Sequence, residues 1–268
     1  MTALPAPGPR RLGLVIDLDI CVGCHACATA CKSWNGGGAV TAPLTDFDPY
    51  GAAPDGVWLN RVHGFEVAGP AAPDGMTLHF PRSCLHCADA PCVTVCPTGA
   101  SYKRADDGIV LVNPASCLGC KLCTWACPYG AREYDMAEGV MRKCTLCVDR
   151  LEDDRLPEAE RQPACVMACP TRARSFGDLA DPASEVSLLV AARDGRDLMP
   201  DLGYRPTNKY LPPRPRRGET AALPEAGAHG GAADGVADGR AVAHPHPQDA
   251  GLAPPRGFWR LVDRLLSL

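Results

Sequence analysis

No stretch of the sequence approaches the roughly 18 consecutive apolar residues of a membrane-spanning helix. Arg10-Arg11 stand near the N-terminus, but no apolar segment and no small-residue cleavage site follow them, so no signal peptide is read. By itself the protein is expected to be soluble and cytoplasmic, although a twin-arginine signal on a partner could carry it across a membrane. Aromatic residues make up only 6% of the chain, too few for a core built from large side chains. Neither sign of charge dominates: the formal net charge is -4, which gives no reason to expect a nucleic-acid partner. No phosphate-binding loop and no acid–base–nucleophile triad is visible, so no catalytic residue is assigned. Finally, no cysteine lies outside four compact sets.

Those sets dominate what is present. The sixteen cysteines fall as Cys21, Cys24, Cys27 and Cys31; Cys84, Cys87, Cys92 and Cys96; Cys117, Cys120, Cys123 and Cys127; and Cys144, Cys147, Cys165 and Cys169. Pro97, Pro128 and Pro170 follow the last member of the second, third and fourth sets. Glycine and proline number 27 each, so a chain of 268 residues, long enough for one or two domains, is loop-rich. Loop-rich modules with few large core residues need staples, and bound metal can serve as one. In a cytoplasmic protein this many cysteines point to metal rather than disulfides. The run Cys21-Val-Gly-Cys24-His-Ala-Cys27 crowds three sulfurs together, which suits one metal centre better than bonds to distant partners.

Sets one and three have the C-x2-C-x2-C-x3-C spacing of bacterial ferredoxins, in which a tight loop holds three corners of one [4Fe–4S] cluster and the fourth cysteine ligates the other cluster of a pair. Gly23 and Gly119 lie inside these loops, where missing side chains let backbone amides turn towards sulfur and tune the potential. Set two stretches one gap to four residues and set four stretches it to seventeen. Such insertions are tolerable because loop-closure cost grows slowly with length. Applying the exchange rule to neighbouring sets two and three gives one ligand set of Cys84, Cys87, Cys92 and Cys127 and another of Cys117, Cys120, Cys123 and Cys96. Sets one and four must then pair across the sequence: Cys21, Cys24 and Cys27 with Cys169, and Cys144, Cys147 and Cys165 with Cys31. One ferredoxin unit is thereby nested within the other.

Two other metal readings compete. Four-cysteine zinc sites also use CxxC pairs, but as separated pairs, whereas CxxCxxC triplets occur twice here. Cys21-Val-Gly-Cys24-His25 matches c-type haem attachment, but that would leave Cys27 and Cys31 without a role. His25, His63, His79 and His86 form no metal pattern; His86, inside set two, is either a donor to cluster sulfur or an exposed polar residue. Lys32, Arg142 and Lys143 flank cysteines and either offset cluster charge or are simply solvated. Trp125, between Cys123 and Cys127, is expected to pack in the core rather than to shield a cluster.

Around the sets, Leu12 to Leu18 alternates enough to form a strand. Ser101 to Val112, turning at Asp107-Gly108, and Ala131 to Arg142, turning near Glu138-Gly139, read as hairpins. Short helices should carry the fourth cysteines and end at the prolines. Residues 32–83 are metal-free, with strand-like Val57 to Val67 and Met76 to Phe80, and serve as a docking surface or a cap over the cluster loops. Asp181 to Gly195 reads as a helix capped by Asp181, with Val186, Leu189 and Val190 on one face. Tyr204 to Pro213 reads as an extended strap lying on another surface, including that of a partner. Residues 217–256 have the composition of a disordered linker, in which His229, His244 and His246 are too scattered to bind metal. Residues 257–268 form an amphipathic segment suited to a groove or a membrane surface.

The order of the four sets, the exchanged pairing and the Cys-Pro endings resemble the four-cluster iron–sulfur (beta) subunits of the dimethyl sulfoxide reductase superfamily, over about residues 11 to 213. Lys32 to Gly38, Phe47 to Gly51, Gly56 to Phe65 and Gly203 to Pro213 are most similar to the iron–sulfur subunit of membrane-bound sulfite dehydrogenase. The resemblance implies an α+β fold of two bacterial-ferredoxin-like modules, one discontinuous (11–31 and 139–180) and one inserted into it (84–138). A metal-free insertion (32–83), a helix and strap (181–216), the linker and the terminal helix complete the protein. It implies four [4Fe–4S] clusters, since Cys120 keeps a thiolate where the respiratory nitrate reductase beta subunit has tryptophan and a three-iron cluster. It also implies a molybdopterin catalytic subunit and an integral-membrane quinone-binding subunit as partners, with this protein peripheral on the cytoplasmic face. Thiosulfate, polysulfide and dimethyl sulfoxide reductases use the same arrangement, so the substrate stays open at this point.

Overall fold

The computed structural model describes residues 2–36, 57–69 and 72–214. The middle of the expected insertion, the linker at 217–256 and the amphipathic segment at 257–268 lie outside the described residues. The elements in the first half are β1 (Leu12–Asp17), α1 (Ala26–Asn35), β2 (Asn60–Gly69), β3 (Ala72–Ser83), α2 (Pro91–Thr94), β4 (Ser101–Lys103) and β5 (Val110–Val112). Then follow α3 (Leu122–Trp125), β6 (Glu133–Asp135), β7 (Val140–Arg142), α4 (Val148–Leu151), α5 (Ala164–Met167), β8 (Arg174–Asp178), α6 (Glu185–Ala192) and β9 (Lys209–Leu211). The mixed content is that expected of an α+β protein.

Strand β1 is buried along almost its whole length instead of alternating, because it is the central strand of the sheet β8-β1-β9. Strand β8 runs antiparallel to it, pairing Leu12 with Asp178 and Ile16 with Arg174. Strand β9 runs parallel to it, pairing Val15 with Lys209. A strand covered on both edges and both faces reads as continuous apolar sequence. Burying Leu14 and Ile16, both fully inaccessible, contributes roughly 1.5–3 kcal/mol each. Among the described residues three hairpins complete the β structure. The pairs β4–β5 and β6–β7 connect consecutive cysteine sets, and β2–β3 precedes the second set.

Helix α6 begins later than expected. Its cap is Ser184, whose hydroxyl accepts from the Ser187 amide; such a cap is worth about 1 kcal/mol. Asp181 instead closes a local turn by accepting from Ala183 N at 2.9 Å. Val186 joins Val15, Leu179 and Leu211 in one apolar cluster, with Leu189 and Val190 packed against it, so the expected face is the buried one.

The strap is part of this protein's own core. Tyr210 stacks on Phe80 with ring centroids 4.5 Å apart, and its hydroxyl donates to Pro81 O. Thr207 N donates to Leu85 O, and the Thr207 hydroxyl to His86 O. The prolines keep the segment extended, and that lets it run alongside β1 as a strand; a sequence without a core of its own here completes a neighbouring one.

Candidate metal centres

In each cysteine set the residue before the second cysteine has a left-handed backbone: Gly23 (φ 67°), His86 (48°), Gly119 (65°) and Leu146 (54°). The turn aims amides at sulfur: His86 N donates to Cys84 Sγ at 3.5 Å and Leu146 N to Cys144 Sγ at 3.4 Å. At Gly119 space also demands glycine, since a Cβ would lie 2.4 Å from the backbone oxygen of Gly139, and at Gly23 a Cβ would lie 2.4 Å from His79 Nδ1 and displace that ring. At His86 and Leu146 the left-handed conformation costs about 1–2 kcal/mol, offset at Leu146 by burial of its side chain and opposed at His86 by the hydrogen bond that Val110 N donates to Nδ1. Further amides reach the later sulfurs: Ser101 N donates to Cys96 Sγ at 3.4 Å and Ala173 N to Cys169 Sγ at 3.2 Å.

The short helices carry the third cysteine of sets two, three and four, not the fourth as expected: Cys92 lies in α2, Cys123 in α3 and Cys165 in α5. In each case the last turn tightens to an i→i−3 bond, from Cys96 N to Val93 O, Cys127 N to Thr124 O and Cys169 N to Val166 O. The fourth sulfur therefore leaves the helix axis just before the proline. Set one differs, because the longer α1 holds both Cys27 and Cys31.

Helix α1 packs on α5 and α2 packs on α3, which brings sulfurs of different sets together. Cys21, Cys24 and Cys27 line one cavity with Cys169. Cys117, Cys120 and Cys123 line another with Cys96. Burial pushes the Cys31 thiol well up, and Cys144, Cys165 and Cys147 add to the shift. Burial likewise raises Cys87, with Cys84, Cys92 and Cys127 adding to it. Cys144 is pushed up to about 12 by burial; Lys143 opposes this, while Cys165 and Cys84 reinforce it. Cys144 and Cys84 thus bring the two buried groups within electrostatic reach of each other, whereas Cys24 and Cys120 are exposed. Crowded thiols that each disfavour their neighbours' ionisation call for compensating cations. Among the described residues no three His, Cys, Asp or Glu side chains converge on a point that one ion could occupy.

Positive charge lies between the groups. Arg174 donates to Cys165 Sγ at 3.6 Å and also lines the cavity of Cys21, Cys24, Cys27 and Cys169. Arg132 lines the cavity of Cys96, Cys117, Cys120 and Cys123 and stands within electrostatic reach of Cys92 and Cys84. Lys143 is buried and donates to Val110 O and Cys144 O. Lys32 is also buried, donates to Val57 O, and sits over the Trp58 ring. Of the three flanking cations only Arg142 is partly exposed, paired with Asp135 and Glu138.

His86 is 0% exposed, not a surface residue. Its Nδ1 accepts from Val110 N at 3.1 Å, which places the proton on Nε2. Burial holds it neutral, and the nearby Lys143, Lys103 and Arg132 push its pKa down further. Trp125, expected in the core, is 88% exposed. Helix α3 is one turn long and buries Cys123, and a residue two positions on points about 200° away.

The family described as a 4Fe-4S dicluster domain matches residues 76–179. The B subunit of sulfite dehydrogenase from Allochromatium vinosum is 56% identical over 207 residues, covering 77% of this sequence and 85% of that protein. The protein belongs to the family of iron–sulfur subunits of the dimethyl sulfoxide reductase superfamily. Two more members are a putative dimethyl sulfoxide reductase iron-sulfur protein of Halobacterium salinarum and the B component of polysulfide reductase from Wolinella succinogenes. The first is 38% identical over 227 residues, covering 74% of this sequence and 78% of that protein. The second is 38% identical over 213 residues, covering 78% and 97%.

For an iron–sulfur subunit the group to be held is a cluster, and the residues present fit one. Thiols surround cavities, backbone amides point at sulfur, and three buried polar atoms beside the cysteines have no partner among the described residues: His86 Nε2, Arg132 Nη1 and Arg174 Nε. Sequence reasoning overlooked Arg132 and Arg174. The signal was a short repeat, Cys127-Pro-Tyr-Gly-Ala-Arg132 and Cys169-Pro-Thr-Arg-Ala-Arg174, with Cys96-Pro-Thr-Gly-Ala-Ser101 as a third copy. Among the described residues no helix is long and apolar enough to cross a membrane.

Proposed function

We propose that this iron–sulfur subunit holds four [4Fe–4S] clusters in sequence and relays electrons between a molybdopterin catalytic subunit and a quinone-reactive membrane subunit during sulfite oxidation. The observation that carries the relay is the meeting of cysteines from different sets: Cys169 with Cys21, Cys24 and Cys27, and Cys96 with Cys117, Cys120 and Cys123. The remaining ligand sets are then Cys31 with Cys144, Cys147 and Cys165, and Cys127 with Cys84, Cys87 and Cys92. When bound, the clusters supply one-electron chemistry; the protein supplies no acid, base or nucleophile.

The protein's own residues do three things. The cysteines fix the clusters, backbone amides and buried cations stabilise negative charge on them, and burial keeps the two inner sites away from water. The adjacency of Cys144 and Cys84 supports an order in which the two buried sites lie between the sites of exposed Cys24 and Cys120. Pairing of β1 with β8 supports a nested organisation, in which 11–31 and 139–180 form one module around 84–138.

Sulfite as the substrate of the complex is favoured by the identity of 56% to a protein named as part of a sulfite dehydrogenase. The same relay in a thiosulfate, polysulfide or dimethyl sulfoxide reductase is the alternative. The cavities lined by sulfur favour a cluster over a zinc ion, which needs four sulfurs about 2.3 Å from one point. The proposed location is the cytoplasmic face of the inner membrane, held there by partner subunits.

Anaerobic purification of the solubilised complex tests the reading. Expected are acid-labile sulfide and iron near four of each per cluster, co-purification of a molybdenum subunit, and reduction of the iron–sulfur signals by sulfite. Zinc without sulfide would overturn the cluster assignment. Signals reduced by quinol but not by sulfite would move the complex to another substrate.

A further inference from the structure

Arg132 and Arg174 occupy equivalent places in the two cysteine pairs. Each stands five residues beyond a final cysteine followed by proline (127 to 132 and 169 to 174). Arg132 is 4% exposed and Arg174 is 3% exposed. Each is anchored through one nitrogen: Arg132 Nη2 donates to Ser101 Oγ and Arg174 Nη2 to Asn60 Oδ1, both at 2.7 Å. Each stands beside both sulfur groups of its pair. Arg174 donates to Cys165 Sγ and lines the cavity of Cys21 and Cys169. Arg132 stands within electrostatic reach of Cys92 and Cys84 and lines the cavity of Cys96 and Cys120. Each also keeps one buried guanidinium nitrogen without a partner among the described residues, Nη1 of Arg132 and Nε of Arg174.

A buried guanidinium with an unmade hydrogen bond is costly unless a nearby acceptor completes it. Sulfur of a cluster held by the surrounding cysteines is such an acceptor, and it becomes a stronger one when reduced. The planar fork of arginine can serve two acceptors at once, which the point charge of lysine cannot.

We propose that Arg174 and Arg132 are shared positioning cations, each stabilising the one-electron-reduced form of both sites in its pair and so raising the two potentials together. The inference rests on the cluster reading above. One electron enters a site with no proton, the guanidinium staying positive throughout. Because the cation lies between the two sites, it also screens the repulsion between two reduced neighbours, so the pair can hold two electrons at once.

The test is a redox titration of the intact complex by electron paramagnetic resonance, with iron and sulfide counted in every sample. Cys24→Ser and Cys120→Ser assign the signals. In Arg174→Gln the two sites of its pair are expected to fall together, the oxidised-to-reduced ratio at fixed potential rising at least tenfold, about 59 mV for one electron. The two sites of the other pair should move much less. Arg174→Lys keeps the charge but reaches one side only, so one of the two potentials falls and the other holds. That variant decides the matter if Arg174→Gln does not load iron. Full iron and sulfide with unmoved potentials in both variants overturns the inference and leaves the relay intact, as does an equal shift of all four sites. A protein without acid-labile sulfide overturns both.

Discussion

The Asn208 side chain donates to the Cys84 carbonyl at 3.0 Å across 124 residues of sequence, while its Oδ1 accepts from Leu14 N at 2.9 Å. One fully buried amide thus ties the strap to β1 and to the first cysteine of set two. Asn208→Ala orphans a buried carbonyl and a buried amide, each costing about 1–3 kcal/mol. The expected result is a lower urea midpoint for the anaerobically purified protein, followed by circular dichroism. An unchanged midpoint would mean that water satisfies both groups.

Exchange of the fourth cysteines has a direct signature. Cys96 lines the cavity of Cys117, Cys120 and Cys123. Cys96→Ser is therefore expected to perturb the signal assigned to exposed Cys120 and to spare the site of Cys84, Cys87 and Cys92. Loss confined to the site of Cys84 would refute the exchange.

Two glycines with similar backbones separate conformation from space. Gly119 has φ +65° and a Cβ there would meet Gly139 O at 2.4 Å, whereas Gly203 has φ +71° and nothing within 4 Å. Gly203→Ala should cost only the left-handed conformation, about 1–2 kcal/mol. Gly119→Ala should cost more and should disturb the iron–sulfur signal of its loop; equal unfolding midpoints for the two variants would count against the close approach.

Half-buried His63 links stability to acid. Burial lowers its pKa, with Arg82, Arg61 and His25 adding, to about 4. In the unfolded state it titrates near 6.5. Between these values the unfolded state binds a proton that the folded state refuses, so this stabilisation is present above about pH 6.5 and is lost as pH falls towards 4. His63→Gln should flatten the pH dependence of the unfolding midpoint in that window and leave it unchanged above pH 7.

Iron removal should open the fold. Helices α2, α3 and α5 are each four residues long, far below the length at which a helix persists by itself. Each buries a cysteine in place of a large apolar side chain. Anaerobic chelation under reducing conditions is expected to remove helical circular dichroism and protease resistance across residues 12–211 together. A chelated protein that keeps both would show that the apolar core suffices.

Cysteine spacing made the grouping of the sulfurs legible, because each loop crowds its own cysteines locally, and the cavities that Cys96 and Cys169 line with another set are what the proposed exchange calls for. The hairpins β4–β5 and β6–β7 were legible for a similar reason: Asp107-Gly108 and Glu138-Gly139 act within a few residues. What escaped was set by distant contacts. His86 looked as exposable as any histidine until β5 and Thr207 closed over it. The strap carried prolines but no apolar periodicity, and its strand exists only because β1 offers an edge. Trp125 misled through composition, since a large aromatic is normally buried and a one-turn helix has only one side to bury. Arg132 and Arg174 each sit in a loop whose charge reads as solvated until both sulfur groups surround it.

The sheet β8-β1-β9 also sets a schedule. Of the three strands β1 leaves the ribosome first, but its antiparallel neighbour spans residues 174–178 and its parallel neighbour residues 209–211. Until then the first cysteine loop has no Cys169 to meet, and β1 shows both edges to other proteins. Metal delivery to that loop and closure of the sheet therefore wait for residues 169–211, after the sites formed by residues 84–127 have been able to assemble.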